Sequence, residues 1–130
     1  MKSFNAIVFV LVVTVSCIFT SCSKDEPEDP IFCTEEFRYI TLEVEGDSLT
    51  SFYTIRMINN DTLFPENNAP IYDNRYVVLS DQYSSLLKNK SEAFQFVGLV
   101  NDSIVLKLDY TIAADNCHIF KVSGPAYHQL

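Results

Sequence analysis

Apolar and polar residues alternate with a period of two along much of the chain, a pattern typical of strands that bury one face. The clearest example is 103–113, where every second residue is apolar: Ile104, Leu106, Leu108, Tyr110 and Ile112. Similar alternation, or short apolar runs, predict further strands at 38–46, 51–58, 75–80, 92–100 and 117–123. The chain is therefore predicted to be mostly β.

The segments between these runs predict turns, one loop and one helix. Residues 59–70 are rich in Asn and Pro and predict a loop. Residues 80–90 lack the alternation and predict a short helix with Ser80 or Asp81 at its N-cap. The last three strands are joined by connections too short for crossovers, which favours an antiparallel meander. The expected fold class is all-β: a single antiparallel β-sandwich of about seven strands with one short helix.

The N-terminal residues have a different pattern. A positive start, Met1-Lys2, precedes a largely apolar run from Phe4 to Phe19. Phe19-Thr20-Ser21-Cys22 resembles a bacterial lipobox, with Phe19 where Leu is usual. The resemblance implies a lipoprotein signal peptide at 1–21 and lipidation of Cys22, with more than one acyl chain holding the protein to a membrane. The alternative is an uncleaved anchor helix with an incidental cysteine.

Residues 22–30 are predicted to form a flexible acidic tether after the lipidated cysteine. The segment is polar and contains Pro27 and Pro30, so it lacks the apolar surface needed to offset the entropy of ordering. Ser23-Lys24-Asp25-Glu26 resembles the acidic signal that sends lipoproteins of Bacteroidetes to the outer face of the outer membrane. We therefore expect a lipid-anchored outer-membrane protein displayed on the cell surface, with the periplasmic face as the alternative.

The predicted domain at 31–130 is acidic. It contains 7 of the chain's 9 Lys and Arg residues and 13 of its 17 Asp and Glu residues, a net charge of −6. Without a basic patch, nucleic-acid binding is disfavoured, and so is direct docking on anionic lipid. The lipid anchor is the expected contact with the membrane.

Four cysteines are present, and the leader accounts for two of them. Cys17 would leave with the signal peptide, and Cys22 would carry the lipid. The remaining pair, Cys33 and Cys117, is predicted to form a disulfide in an oxidising compartment. The rival interpretation makes Cys117 a nucleophile or a metal ligand beside His118.

Two segments carry a family resemblance. Cys33 to Val44 and Tyr110 to Pro125, with Asp115-Asn116-Cys117-His118 as the most specific element, resemble a family of small lipoproteins of Bacteroidetes without an established activity. The resemblance implies an immunoglobulin-like or transthyretin-like (prealbumin-like) sandwich with its two cysteines paired. It transfers no site residues.

Candidate chemistry is sparse. Asp115 and His118 could supply two metal ligands, but zinc sites need three or four, so Asp115 and Asn116 are interpreted as turn residues. The sequence has no Gly-x-Ser-x-Gly motif and no Gly-rich phosphate loop, and Glu35 and Glu36 would point apart on a strand. We expect no catalytic residues, no metal site, no cofactor and no enzymatic activity.

Three tyrosines are candidate binding residues: Tyr72, Tyr76 and Tyr83 flank the predicted loop and helix. Exposed, they could stack on a glycan or anchor a protein partner. The alternative is that they fill the core.

Three short motifs are candidate sites of O-glycosylation. Ser48, Thr62 and Ser103 each follow an Asp and precede an apolar residue, which resembles the sequon of exported proteins in Bacteroidetes. All three are predicted to lie at turns, and ordinary turn chemistry is the alternative explanation.

These observations favour a cell-envelope lipoprotein that serves as a surface-displayed binding or accessory module for a protein or glycan partner that the sequence does not identify. The alternative is a structural or assembly subunit of the envelope, without a small-molecule ligand, that donates or accepts an edge strand.

Overall fold

The computed structural model describes residues 31–65 and 74–130. Within them lie eight strands and one 3-10 helix, Asp81–Leu87. The strands are β1 Tyr39–Glu45, β2 Ser51–Arg56, β3 Asp61–Leu63, β4 Arg75–Ser80, β5 Lys90–Val100, β6 Ser103–Ala114, β7 Ile119–Ser123 and β8 Tyr127–Gln129.

The strands form two sheets, as in a β-sandwich. One sheet has the order β4-β1-β8 and the other β3-β2-β5-β6-β7. Strands β5, β6 and β7 form an antiparallel meander, which confirms the prediction from their short connections. The expectation of a wholly antiparallel fold is wrong in one place, because β8 pairs in parallel with Glu43–Glu45 of β1.

The core lies between the two sheets and follows the predicted alternation. Its largest fully buried side chains include Tyr76, Tyr110, Phe52, Phe94, Phe96, Leu42, Leu79, Leu87, Ile112 and Ile119. Thr54 is also buried and donates a hydrogen bond from Oγ1 to the carbonyl of Val78, 2.6 Å away, which links β2 to β4. At one end of the core, Arg56 pairs with Glu92 through two hydrogen bonds of 2.6 and 2.8 Å.

Local details differ from the sequence prediction at three points. The predicted loop at 59–70 contains β3, which pairs with β2. The chain returns after β7 to form β8, a strand that was not predicted. Ser80 precedes the 3-10 helix but makes no side-chain capping bond, and the Asp81 carboxylate binds groups outside the helix instead.

Candidate functional site

A cleft of about 530 Å³ lies between the segment that leads into β1 and the strand β7. Its walls are residues 36–41 on one side and 119–121 on the other, with Ala126 beside them. The two walls belong to different sheets, so the cleft runs along one open side of the sandwich.

Both walls are sheet edges. Strand β7 is the outer strand of its sheet, and within 31–65 and 74–130 its only strand partner is β6. Strand β8 begins pairing with β1 only at Glu43, so in the same residues no strand covers 40–42 on the side away from β4. Edges of this kind present backbone groups that can pair with a further strand.

Aromatic side chains are exposed at the cleft. Phe37 is 47% exposed and Phe120 46%, on opposite walls. The ring of Phe37 packs against Tyr39 with centroids 5.1 Å apart. Ile40 and Ile119, also lining the cleft, are buried. Exposed aromatic rings beside a buried aliphatic surface are typical of sites that anchor an apolar side chain of a partner.

The charged groups at the cleft are Glu36, Arg38 and Lys121. Arg38 forms an exposed ion pair with Glu36 at 3.3 Å. Lys121 has no acidic side chain within 4 Å among the residues that the structure describes. A positive charge without an acidic neighbour therefore lies on an edge strand of an otherwise acidic protein.

The Asp81 carboxylate joins the two walls. Its Oδ2 accepts a hydrogen bond from Arg38 N, and its Oδ1 accepts one from Ile119 N, each 2.8 Å long. Burial alone would raise the pKa of Asp81, but the bonds from Ile119 N, His118 and Arg38 N outweigh it and hold the pKa below its usual value. An ionised Asp81 thus fixes the spacing of the walls.

The same end of the fold carries the disulfide. Cys33 and Cys117 are joined by an S–S bond of 2.02 Å, as the sequence predicted. Asp115 shapes the adjacent turn, because its Oδ1 accepts hydrogen bonds from Cys117 N at 2.7 Å and His118 N at 2.8 Å. These two bonds lower the pKa of the Asp115 carboxyl, with the bond from His118 N the larger cause. Asp115 therefore acts as the turn residue that the sequence suggested.

The three candidate tyrosines do not form one surface. Tyr76 is a core residue, only 1% exposed, and its hydroxyl accepts a hydrogen bond from Leu49 N at 2.8 Å. The hypothesis that Tyr76 binds a partner is therefore wrong, because its ring is covered by both sheets. Tyr83 is half-buried and packs against the core. Tyr72 lies outside the described residues, as does Cys22.

The candidate glycosylation residues are exposed at three separate places. Ser48 lies between β1 and β2 and donates a hydrogen bond to Asn74 Oδ1 at 2.8 Å. Ser103 is the first residue of β6, directly after a turn. Thr62 lies within β3, so its predicted position at a turn is wrong. Modification of these hydroxyls stays a prediction, tested by the intact mass of the protein from its own cells.

The side chains that line the cleft were not predicted from the sequence. One signal was present: in β7 the buried Ile119 is followed by Phe120 and Val122, so both faces of this strand carry apolar residues. An exposed apolar face on an edge strand indicates an interaction surface. Phe37 gave no comparable signal, because it precedes the first strand.

Comparison with known proteins identifies no relative whose function could be compared with this site. No protein-family model, no curated protein and no solved structure matches the chain. In the part of the chain that the structure describes, no helix has the length and apolar character needed to cross a membrane. In the same residues, no three His, Cys, Asp or Glu side chains come together as a metal site would need.

Proposed function

We propose that the protein is a cell-envelope lipoprotein whose domain at 31–130 binds an extended segment of a protein partner in the cleft between β1 and β7. In this proposal Cys22 carries the lipid, residues 22–30 form the tether, and the domain is displayed at the outer face of the outer membrane. The domain type that agrees with the two sheets is an immunoglobulin-like or transthyretin-like sandwich.

The observation that carries the proposal is the coincidence of exposed aromatic rings with open strand edges in one cleft. A partner strand gains backbone hydrogen bonds from an edge and side-chain contacts from neighbouring pockets. Ile119 N points away from β6 to Asp81, and alternate N–H groups of a strand face the same side. The N–H of Lys121 is therefore the one that a partner strand along β7 would use.

A glycan partner is less well supported by this site. Its aromatic side chains are Phe37, Tyr39 and Phe120, and its charged side chains are Glu36, Arg38 and Lys121. An extended polypeptide would use the backbone edges together with these side chains, whereas a sugar would leave the backbone edges unpaired by a strand.

The test is site-specific photo-cross-linking on intact cells. A benzoylphenylalanine at Phe120 should capture one recurrent protein, and the same group at Val105, exposed and outside the cleft, should not. Adding Phe37→Asp to the Phe120 probe should abolish the capture without changing the thermal unfolding temperature. Equal capture from both positions, or none from Phe120, would refute a role for the cleft.

The location is tested separately. A membrane-impermeant amine reagent should label the protein on intact cells, and Cys22→Ala should release it from the membrane fraction. Membrane retention of Cys22→Ala would favour the uncleaved anchor helix.

The alternative function, an assembly subunit of the envelope, uses the same edges. It predicts that the captured protein is a structural component in fixed stoichiometry, and that the complex survives solubilisation. A binding module instead releases its partner on dilution.

A further inference from the structure

Three side chains that do not line the cleft, Thr34, His118 and Asp81, are linked one to the next by hydrogen bonds. We call this group the relay. Thr34 Oγ1 lies 2.9 Å from His118 Nε2, and His118 Nδ1 lies 2.8 Å from Asp81 Oδ2. A hydroxyl, an imidazole and a carboxylate in this order form the arrangement by which proteins activate an alcohol as a nucleophile.

The tautomer of the neutral His118 ring follows from its partners. The lowered pKa of Asp81 keeps the carboxylate ionised, and an ionised carboxylate only accepts hydrogen bonds. His118 Nδ1 must therefore carry a proton and donate it. In the neutral ring, Nε2 then has a free lone pair, and the Thr34 hydroxyl donates to it. This is the tautomer that a general base needs.

The base and the nucleophile differ in their exposure to solvent. His118 is only 7% exposed, and the Asp81 side chain is equally covered. Thr34 is exposed. The carboxylate and imidazole are thus sheltered from water, while the residue that carries the hydroxyl lies at the surface.

The disulfide holds the two reacting groups together. Cys33 directly precedes Thr34, Cys117 directly precedes His118, and the two cysteines are bonded to each other. Asp115 fixes the same turn through the N–H groups of Cys117 and His118. Such restraints lower the entropy cost of bringing a hydroxyl to its base.

We propose that Thr34 is an activated acyl acceptor that takes an acyl group from an activated ester. The Thr34 oxygen forms a bond to the ester carbonyl carbon, and its proton passes to His118 Nε2. The bond from that carbon to the leaving oxygen then breaks, and His118 returns the proton to the departing alcohol or phenol. One ester is consumed and one is formed on Thr34, with no oxidant or metal. The inference does not require a partner in the cleft, although Asp81 also joins the cleft walls.

The expected size of the effect follows from the groups present. General-base assistance typically contributes about 10²–10⁴-fold, and we take the lower end of this range for the Thr34–His118–Asp81 relay. We expect Thr34 to be acylated about 100-fold faster than a threonine without an imidazole partner.

The test uses p-nitrophenyl acetate on the purified, disulfide-bonded full chain at pH 7, with site-resolved mass spectrometry. Thr62 is the internal control, because it is an exposed threonine in the same molecule. Acetylation of Thr34 about 100-fold faster than Thr62 supports the proposal. Rates within about threefold of each other overturn it.

Two variants test whether the fast acetylation of Thr34 depends on His118. His118→Gln should reduce the Thr34 rate to that of Thr62 and leave Thr62 unchanged, whereas Thr34→Ser should keep the fast reaction at position 34. A fast Thr34 in a folded His118→Gln protein would overturn the role of the ring. If His118→Gln does not fold, the comparison of Thr34 with Thr62 in the native protein still decides.

Discussion

The ring of Tyr110 covers Gly124 so closely that a Cβ atom at position 124 would stand 2.3 Å from Tyr110 Cδ1. Gly124 also has a φ of +125°, which side-chain-bearing residues rarely adopt. The Tyr110 hydroxyl donates a hydrogen bond of 2.9 Å to the carbonyl of Pro125. Together these contacts fix the turn that brings the chain from β7 back to β1.

Gly124→Ala should destabilise the domain by about 2–5 kcal/mol, since it combines backbone strain with a clash in a packed site. Gly46→Ala is the matched control. Gly46 has a similar φ of +113°, but its nearest neighbour, Leu130 Cβ, would be 3.3 Å away. The control should lose only about 1–2 kcal/mol. Urea unfolding measures both, and equal losses would contradict the role given to Tyr110.

Glu92 should make the domain sensitive to acid. The hydrogen bond from Arg56 is the main reason that the pKa of Glu92 falls to about 2, from an unfolded value of 4.5. A lowered pKa stabilises the fold above pH 4.5, and this contribution is lost as the pH falls towards 2. Glu92→Gln should therefore lower stability at pH 7 by about 2–3 kcal/mol, because the Arg56 and Glu92 side chains are only 14% and 7% exposed and are little screened by solvent.

The measurement is the urea midpoint between pH 7 and pH 2. The difference between native protein and Glu92→Gln should shrink as the pH falls. Glu36→Gln is the control, because Glu36 forms an exposed pair with Arg38 and should change little. A constant difference across this range would show that Glu92 acts by packing alone.

Replacing both Cys33 and Cys117 by Ala should cost about 4–5 kcal/mol by the chain-entropy model, because the crosslink joins residues separated by 84 positions. Urea unfolding under non-reducing conditions measures this loss. Thiol titration of the native protein in denaturant provides the control and should find no free thiol at either position. A loss below about 1 kcal/mol would mean that the unfolded chain is already restrained there.

Tyr76→Ala should destabilise the domain by about 3–5 kcal/mol, because it removes a fully buried ring that packs edge-on against Phe52 with centroids 5.2 Å apart. Tyr83→Ala should cost less, since Tyr83 is only half-buried. Thermal unfolding compares the two variants. A Tyr76→Ala protein as stable as the native one would contradict the core role given to this ring.

The local sequence pattern was enough to predict the long strands but not the short ones. All six predicted strands occur, because alternation or a continuous apolar run over several residues gives a recognisable pattern. Strands β3 and β8 have three residues each, too few to show one. Their existence depends on partners elsewhere in the chain, and the parallel register of β8 on β1 has no local signal at all.

The site was harder to predict for the same reason. Counting the cysteines was sufficient to predict the disulfide between Cys33 and Cys117. The cleft and the relay depend on bringing Thr34 and Arg38 to His118 and Ile119, from opposite ends of the domain. Asp81, which joins these segments, was expected to cap a helix. Only the folded chain shows that its carboxylate accepts hydrogen bonds from Arg38 N and Ile119 N, which are distant in the sequence.

The parallel pairing of Glu43 with Tyr127 also means that β1 is synthesised well before the strand that it pairs with, β8. At the usual 5–20 residues per second, the ribosome makes Tyr127 roughly 4–17 s after Glu43. During that interval β1 can pair with β4 but lacks β8, so the three-stranded sheet is incomplete. A chaperone can bind this free edge of β1 until β8 is made.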